Sequence, residues 1–229
     1  MKLTILQGEM IPFDETDVLK RLGMPPEHRF AATIRDLLER TKNIAEPKAL
    51  FMECTVEKVT EEIAVVDGIP LCSELLANRL RNVPKVYPYL CTCGLELDAY
   101  GETLTDMSEK FAFDAIMDFY QKQMEFIVKG RVVNLLPEGY VVGISNPGSL
   151  SGWTIHEQKK LFALYGDAAA EIGVSLKPHF LMTPLKTTSG ICYQMKELST
   201  DCVYCQREDC PRRKEPYCEK ALLETLYRN

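Results

Sequence analysis

Two spacings of apolar residues run along this chain, and the switches between them mark its elements. Phe30, Ile34, Leu37 and Leu38 recur at helical intervals, with Arg35, Asp36, Glu39 and Arg40 opposite, so a helix is predicted after Pro25-Pro26. A shorter helix fits between Pro12 and Gly23, capped by Asp14 and closed by the glycine. The longest helical stripe carries Phe111, Ala115, Phe119, Phe126 and Ile127, and runs from about Asp106 to about Leu136, where Pro137 stops it. Residues 49–59 and 63–66 read as strands, the second ended by the turn pair Asp67-Gly68. Ser73 can cap a short helix through Leu80. Residues 86–93 are apolar but punctuated by Pro84, Pro88 and Gly94, which predicts a strand with an irregular middle. A buried strand is predicted over 140–144. Thr154 and Glu157 have the spacing of a capping box for a helix ending at Gly166. Further short strands are predicted over 174–176, 179–182 and 189–195, and a last helix over 219–227.

Helices and strands do not alternate regularly, and no repeat or low-complexity run appears. The pattern predicts an α+β layer fold rather than a doubly wound parallel sheet. It divides into one domain over 1–198 and a cysteine-rich tail over 199–229.

Composition narrows the function classes. Apolar residues make up 46% and charged residues 26% of 229 residues, ordinary values for a globular protein. The net charge of −6 argues against a broad nucleic-acid or anionic-membrane surface. No stretch approaches the roughly 20 apolar residues of a membrane span. The opening apolar run is too short for a signal peptide and turns acidic at Glu9, so a cytoplasmic location is expected. In a reduced compartment, nine cysteines read as ligands, packing or redox groups rather than disulfides. No P-loop, GxGxxG or hydrolase nucleophile motif is present.

The segment Gly143-Ile144-Ser145-Asn146-Pro147-Gly148-Ser149 leaves a strand and leads into a helix. Loops of this kind present backbone N–H groups, and Pro-Gly keeps them free of bulk. Downstream come the helix Thr154 to Tyr165, then Glu171-Ile172-Gly173-Val174-Ser175-Leu176, Met182-Thr183-Pro184 and Thr187-Thr188-Ser189-Gly190. In order and spacing these pieces resemble the activation domain of cobalamin-dependent methionine synthase. The resemblance implies a curved, mainly antiparallel sheet with flanking helices. It also implies binding of S-adenosylmethionine and docking on a corrinoid-binding protein, with the cobalamin carried by that partner. The implied role is reductive remethylation of cobalt that has drifted to the Co(II) state. Homocysteine-, folate- and cobalamin-binding modules are not part of this sequence, so an accessory factor acting on a separate corrinoid protein, such as the methionine synthase core, is expected. The resemblance assigns the ligand to Glu138, Asn146, Pro147, Gly148, Ser149, Ser189 and Gly190: the acid for the amine, the loop for the carboxylate.

Three positions depart from the family pattern. Ile144 stands where the family has arginine, Ser149 stands where it has tyrosine, and Cys192 takes a second tyrosine position with Tyr193 one residue later. In a strand, that one-residue shift turns the ring to the other face. These departures favour a rival reading, a non-catalytic interaction module on the same fold with a zinc-stapled tail.

The tail contains Cys202-x2-Cys205-x4-Cys210-x7-Cys218. Four clustered thiols suit zinc or an iron–sulfur cluster, and the spacing leaves both open. Arg207, Arg212, Arg213 and Lys214 lie among them, and nearby positive charge stabilises thiolates. Cys54, Cys72, Cys192 and the Cys91-x-Cys93 pair are expected to be packing residues. Trp153 is expected to pack the loop onto the helix.

Overall fold

The computed structural model describes residues 2–197, 200–210 and 213–222. Its centre is a seven-stranded antiparallel sheet. The spatial order is β4 (Ile69–Cys72), β3 (Ile63–Val66), β2 (Lys48–Val59), β5 (Lys85–Thr92), β9 (Thr187–Met195) and β6 (Val141–Ser145), with β1 (Lys2–Gln7) also paired to β2. Strand β2 is long enough to serve two neighbours along one edge. Residues 48–53 pair with β1, and Val56, Lys58 and Val59 pair with β3 around a bulge between Val56 and Lys58. The Asp67-Gly68 turn between β3 and β4 has positive φ at both residues (41° and 79°), the backbone that a tight two-residue hairpin requires.

The punctuated run at 86–93 is one continuous strand. Its pairing to β9 is unbroken, whereas pairing to β2 skips Tyr87 and Pro88. Proline has no N–H to donate, so the predicted irregularity survives as a gap on one side of the ladder.

Both faces of the sheet are covered, so residues 49–52 of β2, 86–92 of β5 and 189–193 of β9 are buried without alternation. Over one face lies α5 (Met107–Val133), whose Met124, Val128 and Val132 pack on Phe51, Tyr87, Tyr89, Cys91 and Cys192. Asp106 caps this helix by accepting from the N–H groups of Ser108 and Glu109. Over the other face lie α3 (Glu74–Leu80), α6 (Gln158–Tyr165) and α7 (Ala168–Glu171), packed on Leu50, Met52, Leu90, Ile191 and Tyr193. A third cluster joins α1 (Glu15–Arg21), α2 (Phe30–Thr41) and α4 (Leu95–Thr103) to the first half of α5. A small hairpin of β7 (Ser175–Leu176) and β8 (Met182–Thr183) precedes β9.

Several local expectations need correction. Helix α2 starts at Phe30, not at the two prolines, because the intervening chain turns, with the His28 N–H donated to Pro25 O. Thr154 makes no side-chain cap. Glu157 instead accepts from the Cys72 N–H and pairs with Lys160, so the chain enters α6 through a single 3₁₀ turn. Cys72 is exposed rather than packed. Residues 219–222 are helical; the rest of the predicted last helix lies outside the described residues.

Candidate functional site

Strands β5, β6 and β9 bring three loops to one end of the sheet. β5 ends at Thr92, opposite Thr187 at the start of β9, and β6 ends at Ser145, opposite Ile191. The Pro-Gly loop therefore leaves β6 beside the first residues of β9. Asn146 fixes the contact: its Nδ2 donates to Ser189 O and to Tyr89 Oη, both at 2.7 Å. A β-carbon on Gly190 would collide with the Asn146 amide and with Ser145 O, so only glycine admits this approach. The structure thus unites Asn146, Pro147, Gly148, Ser149, Ser189 and Gly190.

It does not bring Glu138 to them. That residue is exposed in the turn before β6, at the opposite end of a strand of five residues, about 17 Å at the usual rise per residue. The loop N–H groups are also committed. Gly148 donates to Trp153 O at 2.7 Å, and Ser149 and Leu150 donate to Asn146 O at 3.0 and 3.1 Å. Buried Trp153 ties the loop down as expected. By contrast, Ser189 Oγ is buried without a hydrogen-bond partner among the described residues.

Donors for a carboxylate are present, and most come from residues that sequence reasoning did not select. Arg79 of α3 has a side chain only 6% exposed, and its Nη1 donates to Ser145 Oγ at 2.9 Å and to Tyr193 Oη at 2.8 Å. The same nitrogen pairs with the carboxylate of Asp201, which also accepts from Ser145 Oγ at 3.3 Å and lies beside the Asn146 backbone N–H. Tyr204 stacks on the guanidinium at 4.9 Å. Burial pushes the Asp201 carboxyl above its ordinary range, with Arg79 offsetting part of that. Burial pushes the Tyr193 phenol up to about 12. Burial alone would lower Arg79; the neighbouring Tyr193 and Asp201 override it and raise it.

The opposite face carries a second polar group. Ile144 and Cys192 face α5, where Glu125 is held by Lys122 (2.8 Å) and Lys129 (3.2 Å). Burial pulls the Glu125 carboxyl up, but the two lysines prevail and lower it, so it stays ionised. Tyr193 does point away from this face, as the shifted position predicts. The available signal for Glu125 was a carboxylate in phase with the buried residues Gln121, Val128 and Val132.

Among the described residues the four tail cysteines do not converge on one point. Cys202, Cys205, Cys210 and Cys218 are free thiols, and among the described residues no three His, Cys, Asp or Glu side chains converge. The centre of the tail is taken by Arg213. Its guanidinium donates to the carbonyls of Cys202 (3.3 Å), Cys205 (2.9 Å), Glu215 (3.0 Å) and Arg207, and its N–H to Cys210 O (3.0 Å). Burial would raise the Cys202 thiol, but N–H groups of Lys214 and Glu215, the Thr200 hydroxyl and Arg213 together lower it.

The backbone matches the crystal structure of the MetH reactivation domain bound to AdoHcy, with a TM-score of 0.64 over 87% of this chain and 80% of that chain, at 13% sequence identity. This chain has the MetH reactivation-domain fold. No protein-family model and no curated protein sequence matches it. On the reactivation-domain fold, the implied curved antiparallel sheet with flanking helices is present, and its Pro-Gly loop docks on β9. Among the described residues no helix is long and apolar enough to cross a membrane.

Proposed function

We propose that this chain is an accessory factor that binds an S-adenosylmethionine-type ligand at the Pro-Gly end of its sheet. It would act there on cobalamin carried by a separate corrinoid protein, such as a methionine synthase core, returning cobalt(II) to the methyl form. One observation carries the reading: Asn146 joins the Pro-Gly loop to Ser189 and Gly190, so the two segments singled out in the sequence form one place. The shared fold with a domain solved with AdoHcy supports it.

The residues present fit such a ligand. Ser189 Oγ offers a buried hydrogen-bonding position that no group among the described residues uses. Ser145, Arg79 and the Asn146 N–H supply carboxylate donors close by. When bound, the ligand's sulfonium supplies the methyl group. The chain's own part is to orient it and to present it to the partner. Around this end stand exposed apolar side chains: Leu181 (62%), Leu185 (63%), Leu95 and Ile155, the last packed beside Gly148. Such a rim suits an apolar macrocycle face better than it suits water.

A second reading, a non-catalytic interaction module on the same fold with a zinc-stapled tail, is favoured by Ile144, which cannot grip a ligand carboxylate, and by Cys192, which leaves the tyrosine one residue out of phase. The test is to add purified chain, reductant and S-adenosylmethionine to a corrinoid methyltransferase inactivated by ageing. Restored turnover supports the first reading. No restoration, together with no calorimetric binding of S-adenosylhomocysteine, supports the second.

A further inference from the structure

The carboxylate in the Arg79 site belongs to the chain itself. Asp201 sits in the short 3₁₀ turn Asp201–Tyr204 of the cysteine tail, more than a hundred residues from Arg79. Its carboxylate meets a guanidinium, a serine hydroxyl and a backbone N–H from the start of the Pro-Gly loop. This is the donor set with which proteins bind a free carboxylate: a charged fork, a hydroxyl and a main-chain amide. The set is more than a surface ion pair. The Arg79 side chain is 6% and the Asp201 side chain 13% exposed. The guanidinium is also incompletely used, since Arg79 Nη2 is buried with no partner among the described residues. A planar fork normally grips a carboxylate through two parallel bonds, and here Asp201 engages one nitrogen only.

We propose that Arg79, Ser145, the Asn146 N–H and Tyr193 form a carboxylate-binding site that the tail fills in cis with Asp201. When the tail withdraws, the carboxylate of an amino-acid-type ligand takes the same place, and the unused nitrogen gives it the second bond. The site adjoins Asn146, so its occupant is felt at the Pro-Gly loop through Ser145 and the Asn146 backbone. The identity of the ligand rests on the adenosyl reading above; the site itself does not.

Asp201→Ala in the full chain tests this by chemical rescue, with acetate as the probe. The variant melts lower than wild type in chloride buffer. Acetate at the same ionic strength raises its melting temperature by several degrees, saturably, leaving wild type and the Arg79→Met/Asp201→Ala double variant unmoved. If the variant does not fold in chloride, refolding in acetate gives the same reading. A response no larger than chloride's, or failure to fold in both salts, overturns the proposal. Calorimetry with S-adenosylhomocysteine then reads the guarding role: Asp201→Ala binds at least tenfold more tightly than wild type. Equal, measurable affinity overturns that role. Acetate rescue with no binding by either protein leaves the carboxylate site standing and removes the adenosyl reading instead.

Discussion

Asn146 occupies the space that a side chain on Gly190 would need. Its amide bonds Ser189 O and Tyr89 Oη, so a loop between β6 and α6 is held to the middle strands of the sheet. Gly190→Ala must therefore expel the amide or shift β9. We expect a loss of about 1–3 kcal/mol, the usual cost of overpacking. Urea unfolding measures the loss, and Asn146→Gly in the same background should recover part of it by removing the colliding group.

Removing Arg79 leaves Asp201 buried and uncompensated. Arg79→Met should cost about 3–5 kcal/mol at neutral pH, because breaking one side of a buried pair strands the other charge. The folded Asp201 carboxyl already titrates above its ordinary 3.8, because of burial. The fold therefore favours the protonated acid, and its contribution falls as pH rises from 3.8 through the folded value. Without Arg79 that window widens upward, so the variant recovers stability relative to wild type on acidification. Unfolding midpoints at several pH values check this; a deficit independent of pH would contradict it.

Glu125 behaves oppositely. Its carboxyl lies below the ordinary 4.5 because Lys122 and Lys129 outweigh burial. Its stabilisation is full above the unfolded value and is lost as pH falls through the folded one. Glu125→Gln should thus flatten the acid-side fall in stability while lowering stability at pH 7, by thermal melts across pH 3 to 7.

Cys202 should be the most readily alkylated of the tail thiols, since N–H groups, the Thr200 hydroxyl and Arg213 lower it against the effect of burial. Cys54, Cys91 and Cys192 are pushed up by burial and should stay unreacted. Iodoacetamide labelling with peptide mass mapping reads the order, and Arg213→Met should slow the Cys202 reaction severalfold.

What the sequence disclosed was what local chemistry decides. Asp14 and Ser73 cap their helices, and Gly166 ends α6, because caps and stops depend on a few adjacent residues. The meeting of residues 146–149 with 189–190 was legible through ordered motifs. Helix α4 was missed: it opens at Gly94 with no side-chain cap and carries no clear apolar stripe. The box at Thr154 failed because Glu157 found a nearer use on the Cys72 N–H of β4, which local spacing cannot foresee. Arg79 was invisible for the same reason, since its partners Ser145, Tyr193 and Asp201 lie 66 to 122 residues away. The spacing and clustering of the four cysteines suggested a metal cage, whereas the Arg213 guanidinium contacts to the Cys202 and Cys205 carbonyls have no signal in local spacing.

Amide hydrogen exchange with and without S-adenosylhomocysteine probes the ligand site most directly. Protection confined to residues 145–150 and 187–191 is predicted. Saturating ligand that leaves these segments unprotected, or that protects a different end of the sheet, would contradict the account.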